Sequence, residues 1–181
     1  MISTDPLWWC WEAELPDSLC DSIIEEALLE EPEEGTAGGR IRKTLRDSTI
    51  RWLNYNWLIN MVSGYGHMAN SVAWNFKLEK CELIQFTEYG LDQKYDFHTD
   101  TEKCADGMRK LSIVVQLSDT EDYEGGDFEF KKITQETESV PELRKRGTVL
   151  VFPSWHQHRV TPVTRGTRYT LVTWLNGPAL V

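Results

Sequence analysis

Two short stretches carry residues whose types and spacing could do chemistry. KYDFHTD places His98 and Asp100 two residues apart, and SWHQHRV places His156 and His158 two residues apart. In an extended segment, residues i and i+2 project to the same side. The imidazole of His98 and the carboxylate of Asp100 can therefore converge on one metal ion. Alone, an H-x-D pair arises easily in a chain this acidic, and a histidine hydrogen-bonded to a nearby aspartate explains it equally well. A second imidazole shifts the balance. Two histidines and one carboxylate on one side of Fe(II) leave three positions open, an arrangement suited to O2 chemistry. His156 and His158 are the remaining candidates in the β-rich part of the chain. Strand alternation does not choose between them, because both could face inward.

The elements that must position these groups follow from periodicity. PDSLCDSIIEEALLEEPEE reads as a helix, with Ser18 as N-cap, Asp21 three residues on, apolar Leu19, Ile23, Ile24, Ala27 and Leu28 at helical spacing, and Pro32 as terminator. GTAGG at 35–39 reads as a loop, and Arg40, Arg42, Lys43 and Arg46 as its solvated continuation. A second helical stripe, Leu58, Met61, Val62, Tyr65, Met68, Ala69 and Val72, runs from about Tyr55 to Val72 and should face a sheet. Gly64 and Gly66 interrupt it at a cost of about 1 kcal/mol each. His67 lies off the stripe and is expected in solvent. After residue 80 the period changes to two. CELIQFTEY, LSIVVQLSD, GDFEFKKI, GTVLVFPS, QHRVTPV and RYTLVTWLN are short β-branched and aromatic runs separated by Gly, Asp and Pro. KKITQETESVPELRKR at 131–146 is either a mobile lid or a polar connection. Helices followed by short strands predict a mainly β fold, an antiparallel sandwich or jelly roll with helices packed on one outer face. The expected organisation is one domain over 1–181, with 1–79 as helical support and 80–178 as the β core.

Composition narrows the function classes. With 181 residues, 40% hydrophobic and 11% aromatic, the chain is long enough for one packed core. The formal net charge of −10 opposes phosphate backbones, so nucleic acid is not an expected partner. Cys10, Cys20, Cys81 and Cys104 form no C-x-x-C pair and no dense disulfide framework. The N-terminus carries acid and no sustained apolar run, and no stretch reaches membrane-spanning length. Free thiols in a cytoplasmic location, without membrane association, are expected.

HRVTPVTRGTRYTLVTWLNGP resembles the C-terminal signature of the Fe(II)/2-oxoglutarate-dependent dioxygenases, in particular their prolyl 4-hydroxylase-like branch. In that pattern the distal histidine precedes a V-T-P-V stretch, and a basic residue ten positions later holds the far carboxylate of 2-oxoglutarate. The resemblance implies His98, Asp100 and His158 as metal ligands, Arg168 as the cosubstrate clamp, and His156 as a neighbour at the mouth of the site. An arginine suits the clamp because its planar fork gives two charge-assisted hydrogen bonds. FTEYGLDQKYDFHTD resembles the strand leading into the H-x-D motif; Tyr89 fits the spacing of a cosubstrate-contacting hydroxyl better than Tyr95 does. RKLSIVVQLSDTEDYEGGDFEF resembles the next strand and turn, with Ser112 where a hydroxyl lies near the cosubstrate carboxylate. Gly125-Gly126 needs only a tight turn to explain it. RDSTIRWL resembles the Arg-x-Ser segment preceding the barrel, which would set Arg51 and Trp52 beside a substrate groove.

The resemblance also implies a double-stranded β-helix. A simple hairpin at Arg165-Gly166 would turn Arg168 away from His158, whereas a connection crossing between sheets would not. Arg168, Thr170, Val172 and Trp174 would then line the interior, with Tyr169, Leu171 and Thr173 on the outer face. The implied reactants are Fe(II), 2-oxoglutarate and O2, with ascorbate as an accessory reductant. The implied activity is hydroxylation of a protein or peptide side chain, proline foremost, with release of succinate and CO2. A free amino acid or other small molecule is the alternative substrate. A cupin-type enzyme without 2-oxoglutarate, and a non-catalytic jelly-roll module that binds a metal or ligand, are the other readings.

Overall fold

The switch from helical to two-residue periodicity near residue 80 marks the division of labour in the fold. The structure is a computed structural model that describes residues 6–101, the backbone of 103 and 104, and residues 107–179. The elements run β1 (Trp9–Trp11), α1 (Asp17–Ala27), β2 (Glu33–Glu34), β3 (Arg46–Asp47), β4 (Thr49–Leu53), α2 (Asn56–Ala73), β5 (Lys80–Cys81), β6 (Ile84–Tyr89), β7 (Lys94–His98) and β8 (Lys103–Cys104). They continue with β9 (Gly107–Gln116), β10 (Tyr123–Gly125), β11 (Phe128–Lys131), β12 (Thr137–Ser139), a 3-10 turn at Pro141–Arg144, β13 (Val149–Pro153), β14 (His158–Val160), β15 (Val163–Gly166) and β16 (Arg168–Gly177).

The major sheet has the order β1-β13-β9-β16-β6-β4-β2, with β5 added beside β16 and β8 beside β9. The opposing layer consists of a five-stranded sheet, β12-β11-β14-β7-β3, and the pair β10-β15. This is the expected jelly roll, helices on one outer face. The N-terminal portion supplies more than helices, since β4 extends the major sheet beside β6 and β1 closes its other edge on β13.

The alternation along β16 sorts its side chains between two cores. Leu171 and Leu175 join Ile113, Val115, Phe86 and the buried faces of α1 and α2 in one cluster. Val172 packs with Tyr89, Val114, Phe128 and Phe152 in the second cluster, between the sheets. The outward face of β16 is thus buried beneath helices. β15 pairs with β10 rather than with β16, so the connection at Gly166 crosses between sheets and the hairpin alternative is excluded.

Several local expectations are corrected. Helix α1 starts at Asp17 with Pro16 as N-cap and no side-chain cap bond, so Ser18 is not the cap, and it ends at Ala27 before Pro32 is reached. A proline preorganises the entry to a first turn that needs no hydroxyl. In α2, Leu58, Val62 and Ala69 are buried as expected, while Met68 and Val72 are exposed. Gly66 is the contact point instead: a Cβ there would lie 2.5 Å from Leu175 Cδ1 and 2.6 Å from Ile113 Cδ1. The residue that weakens the helix lets it lie close on the sheet. His67 is exposed. Residues 131–146 are neither lid nor plain connection: β12 pairs with β11, and Val140 and Leu143 are buried. Cys10, Cys20 and Cys81 are free thiols, and the Cys104 side chain lies outside the described residues. Among the described residues no helix is long and apolar enough to cross a membrane.

Candidate metal and cosubstrate site

Strand register builds the site. His158 of β14 stands directly opposite His98 of β7 in an antiparallel pair, so two imidazoles 60 residues apart in sequence face each other across one ladder. Their ring centroids are 4.2 Å apart. Asp100 follows β7, and its backbone N–H donates to the Ser154 carbonyl at 2.9 Å, tying it to the end of β13 in the opposite sheet. Asp100 Oδ1 lies 3.4 Å from His98 Nε2 and Oδ2 lies 3.6 Å from His158 Nε2. One potential ligand atom from each residue falls within 4.8 Å of the others.

The protonation pattern suits a metal. His98 Nδ1 lies 2.8 Å from the Asp96 carbonyl, and His158 Nδ1 lies 2.9 Å from the His156 carbonyl. Carbonyls only accept, so each Nδ1 carries the proton and each Nε2 lone pair is left free to coordinate. Burial pushes the His158 imidazole down to about 4, keeping it neutral at pH 7. At Asp100 burial opposes the charge, but the electrostatic attraction of the neighbouring His158 and His98 side chains outweighs it and holds the carboxyl well below its usual range. Two neutral nitrogens and one carboxylate are the donor set that Fe(II) takes on one face.

The rings are fixed by packing. Tyr95 stacks on His98 with centroids 3.4 Å apart, and the Arg46 guanidinium lies 4.7 Å from the Tyr95 centroid. Phe128 stacks on His158, and Phe152 meets it edge-on at 4.7 Å.

The three groups open into a cavity of about 460 Å³ between the sheets, which Arg168 and Tyr89 also line. Arg168 is opposite Tyr89 in the β16–β6 ladder, and its guanidinium sits 5.9 Å from the tyrosine centroid. Only 2% of Arg168 is exposed, yet among the described residues no carboxylate or carbonyl pairs with its guanidinium. Gly126, at φ +60°, passes beneath it; a Cβ there would come within 3.0 Å of Arg168 Cδ. The second glycine of the Gly125-Gly126 turn therefore also makes room for the arginine stem.

Other expected residues are placed differently. Ser112 does not line the cavity: its hydroxyl donates to Asp100 Oδ2 at 2.7 Å and meets Ser154 Oγ at 3.0 Å. Trp52 borders the cavity, but Arg51, the next residue on the same strand, points to the opposite face and pairs with Glu88. His156 lies outside the cavity, packed against Phe130 and Trp155; its backbone carbonyl is the part that serves the site. Arg46, read as part of a solvated loop, is 7% exposed and lines the cavity, held by Ser48 and the Thr36 carbonyl. Arg109 also lines the cavity, 3.7 Å from the Trp174 ring and doubly bonded to Glu82. Sequence reasoning missed Arg109 and Ser154; a β-bulge between Leu175 and Asn176 breaks the alternation opposite Arg109, and no pattern flags it.

Jelly-roll strands that converge two histidines and a carboxylate beside a buried arginine, unpaired among the described residues, define a non-haem iron type of β-helix protein. The model of the 2OG-Fe(II) oxygenase superfamily matches residues 84–176, just over half of the chain, and the chain belongs to that superfamily. Membership implies Fe(II), 2-oxoglutarate and O2 as its reactants. A PKHD-type hydroxylase of Synechococcus sp. (strain CC9311) is 41% identical over 81 residues, 45% of this chain and 36% of that protein. The chain spans about a third to three fifths of the length of the first curated relatives it matches. In fold it is similar to a Pseudomonas putida prolyl-4-hydroxylase, with TM-score 0.77 and 21% identity over 97% of this chain and 95% of that one. It is also similar to a Trichoplax adhaerens prolyl hydroxylase solved with a hypoxia-inducible-factor peptide fragment, with TM-score 0.78 and 16% identity over 94% and 83%.

Proposed function

We propose that this protein hydroxylates a protein or peptide side chain, a prolyl residue foremost, using Fe(II), 2-oxoglutarate and O2 and releasing succinate and CO2. The observation that carries this reading is the buried Arg168 guanidinium, unpaired among the described residues and facing the cavity shared by His98, Asp100 and His158. A buried cation without a partner is costly. An anionic cosubstrate relieves that cost.

His98 Nε2, Asp100 and His158 Nε2 would hold Fe(II), and the free lone pairs and the ionised carboxylate fit it. When bound, Fe(II) couples oxidative decarboxylation of 2-oxoglutarate to oxygen insertion into a substrate C–H bond. Arg168 would hold the far carboxylate in its planar fork, with the Tyr89 ring beside it, and so orient the cosubstrate relative to the metal. The carbonyls of Asp96 and His156 keep both imidazoles in the ligating tautomer. Trp52, 37% exposed at the cavity border, offers an apolar surface to an incoming ring. The relatives' names, PKHD-type hydroxylase and prolyl hydroxylase, and the peptide bound by the Trichoplax protein support a peptidyl substrate. A single domain in a reducing, cytoplasmic setting fits the free thiols at Cys10, Cys20 and Cys81.

The test is anaerobic titration of apoprotein with Fe(II) and 2-oxoglutarate, followed by aerobic incubation with proline-containing peptides or free proline. A visible metal-to-ligand charge-transfer band, and succinate formed in step with peptidyl hydroxyproline, are expected. No band in folded protein would overturn the reading. Hydroxylation of free proline alone would remove the peptide assignment.

A further inference from the structure

We infer that Ser112, itself accepting a hydrogen bond from Ser154, is a positioning residue that makes Asp100 meet its metal through Oδ1 alone. The inference rests on the metal site proposed above. Three features of the hydroxyl pair carry it.

The first is direction. A serine hydroxyl has one proton, and that of Ser112 goes to Asp100 Oδ2 at 2.7 Å. In the 3.0 Å contact between the two serines, Ser112 must then be the acceptor and Ser154 the donor. The result is a one-way chain, Ser154 O–H to Ser112 O–H to Asp100 Oδ2, in which each bond polarises the next.

The second is burial. Ser112 and Ser154 are both fully buried, at 0% exposure, so water does not replace either bond. Ser154 is also fixed through its main chain, donating N–H to the Lys110 carbonyl and accepting from the Asp100 N–H. The chain therefore has a rigid origin.

The third is selectivity between the carboxylate oxygens. Oδ2 receives the short, charge-assisted bond from Ser112, which draws off the electron density a metal would use. Both oxygens face an imidazole, Oδ1 at 3.4 Å from His98 Nε2 and Oδ2 at 3.6 Å from His158 Nε2, and the hydroxyl bond is what sets them apart. A carboxylate free at both oxygens can chelate. Chelation would occupy one of the three positions that a two-histidine, one-carboxylate set leaves open. Cosubstrate chelation would take two of these, so the third would survive for O2 only if Asp100 stays monodentate.

The experiment counts water on the metal rather than product. Apoprotein is loaded with Mn(II), and bound waters are counted by relaxation of water protons and by line broadening in 17O-enriched water. Wild type should give three waters, Ser112→Ala two, and Ser112→Thr, which keeps the hydroxyl, three again. Ser154→Ala, which weakens the chain without removing the bond to Asp100, should give a count between two and three. Three waters in a folded Ser112→Ala protein would overturn the inference and leave the proposed metal site intact. If Ser112→Ala does not fold, Ser154→Ala decides: an unchanged count of three overturns the inference. Failure of wild type to bind Mn(II) would instead sink the metal site itself.

Discussion

Replacing Arg168 by methionine should separate cosubstrate binding from folding, because the guanidinium has work to do only when an anion is present. Methionine retains the apolar stem volume between Gly126 and Tyr89 and removes the charge. In the wild type, two charge-assisted hydrogen bonds to the far carboxylate of 2-oxoglutarate are each worth roughly 1.5–3 kcal/mol. Removing one side of a buried ion pair costs about 3–5 kcal/mol. At 1.4 kcal/mol per decade, the dissociation constant for 2-oxoglutarate should rise by roughly 10² to 10⁴. The apoprotein should respond in the opposite sense. Arg168 is 2% exposed without a counter-ion among the described residues, so its removal relieves an uncompensated charge. Apo Arg168→Met should therefore unfold at the wild-type temperature or above it. The assay pairs an anaerobic 2-oxoglutarate titration in the presence of Fe(II) with thermal unfolding of the metal-free protein. Binding within about threefold of wild type, or an apoprotein markedly less stable, would refute the reasoning and make Arg168 a structural cation (a threefold change is about 0.6 kcal/mol, well below the pair's expected worth).

Further outcomes follow from the same geometry. His158→Ala should abolish binding of Fe(II) by equilibrium dialysis, whereas His156→Ala, which keeps the backbone carbonyl that orients His158, should retain it. Acid should destabilise the apoprotein through His158, whose folded value of about 4 lies below its ordinary 6.5. The unfolded chain binds the extra proton, so stability falls as pH drops from about 6.5 to about 4, by at most about 3–4 kcal/mol, and levels off below; denaturant melts across that range check it. Gly64→Ala should stabilise by about 1 kcal/mol, since nothing lies within 4 Å of the added methyl. Gly66→Ala should lose that gain and more, by about 1–3 kcal/mol, through overpacking against Leu175 and Ile113.

What was legible in the sequence followed periodicity and spacing. The β-branched runs after residue 80 announced the jelly roll, and H-x-D with a distal histidine announced the trio that the structure brings together. Choosing His158 over His156 needed the family resemblance, because parity sends both to one side. The structure adds a physical reason: the Phe128 stack holds the His158 ring inside, whereas the His156 ring packs on Phe130 outside the cavity. The Ser112–Asp100 bond was not legible, because spacing reports the face of a strand and not the direction of a hydroxyl. Arg46 was missed for a different reason. Its neighbours are basic and exposed, and only β3 pairing on β7 brings it over Tyr95. The tight approach at Gly66 was equally invisible, since a helix–sheet distance is a tertiary quantity.

Strand β16 has a consequence for how such a protein can change. Leu171 and Leu175 answer to the core beneath the helices, while Arg168, Thr170, Val172 and Trp174 answer to the cavity, on opposite faces of one ribbon. Tolerance to mutation along this strand should oscillate with a period of two, one parity reporting on abundance and the other on turnover. A lineage could therefore retune what the cavity accepts, one residue at a time, without repacking what holds the domain upright.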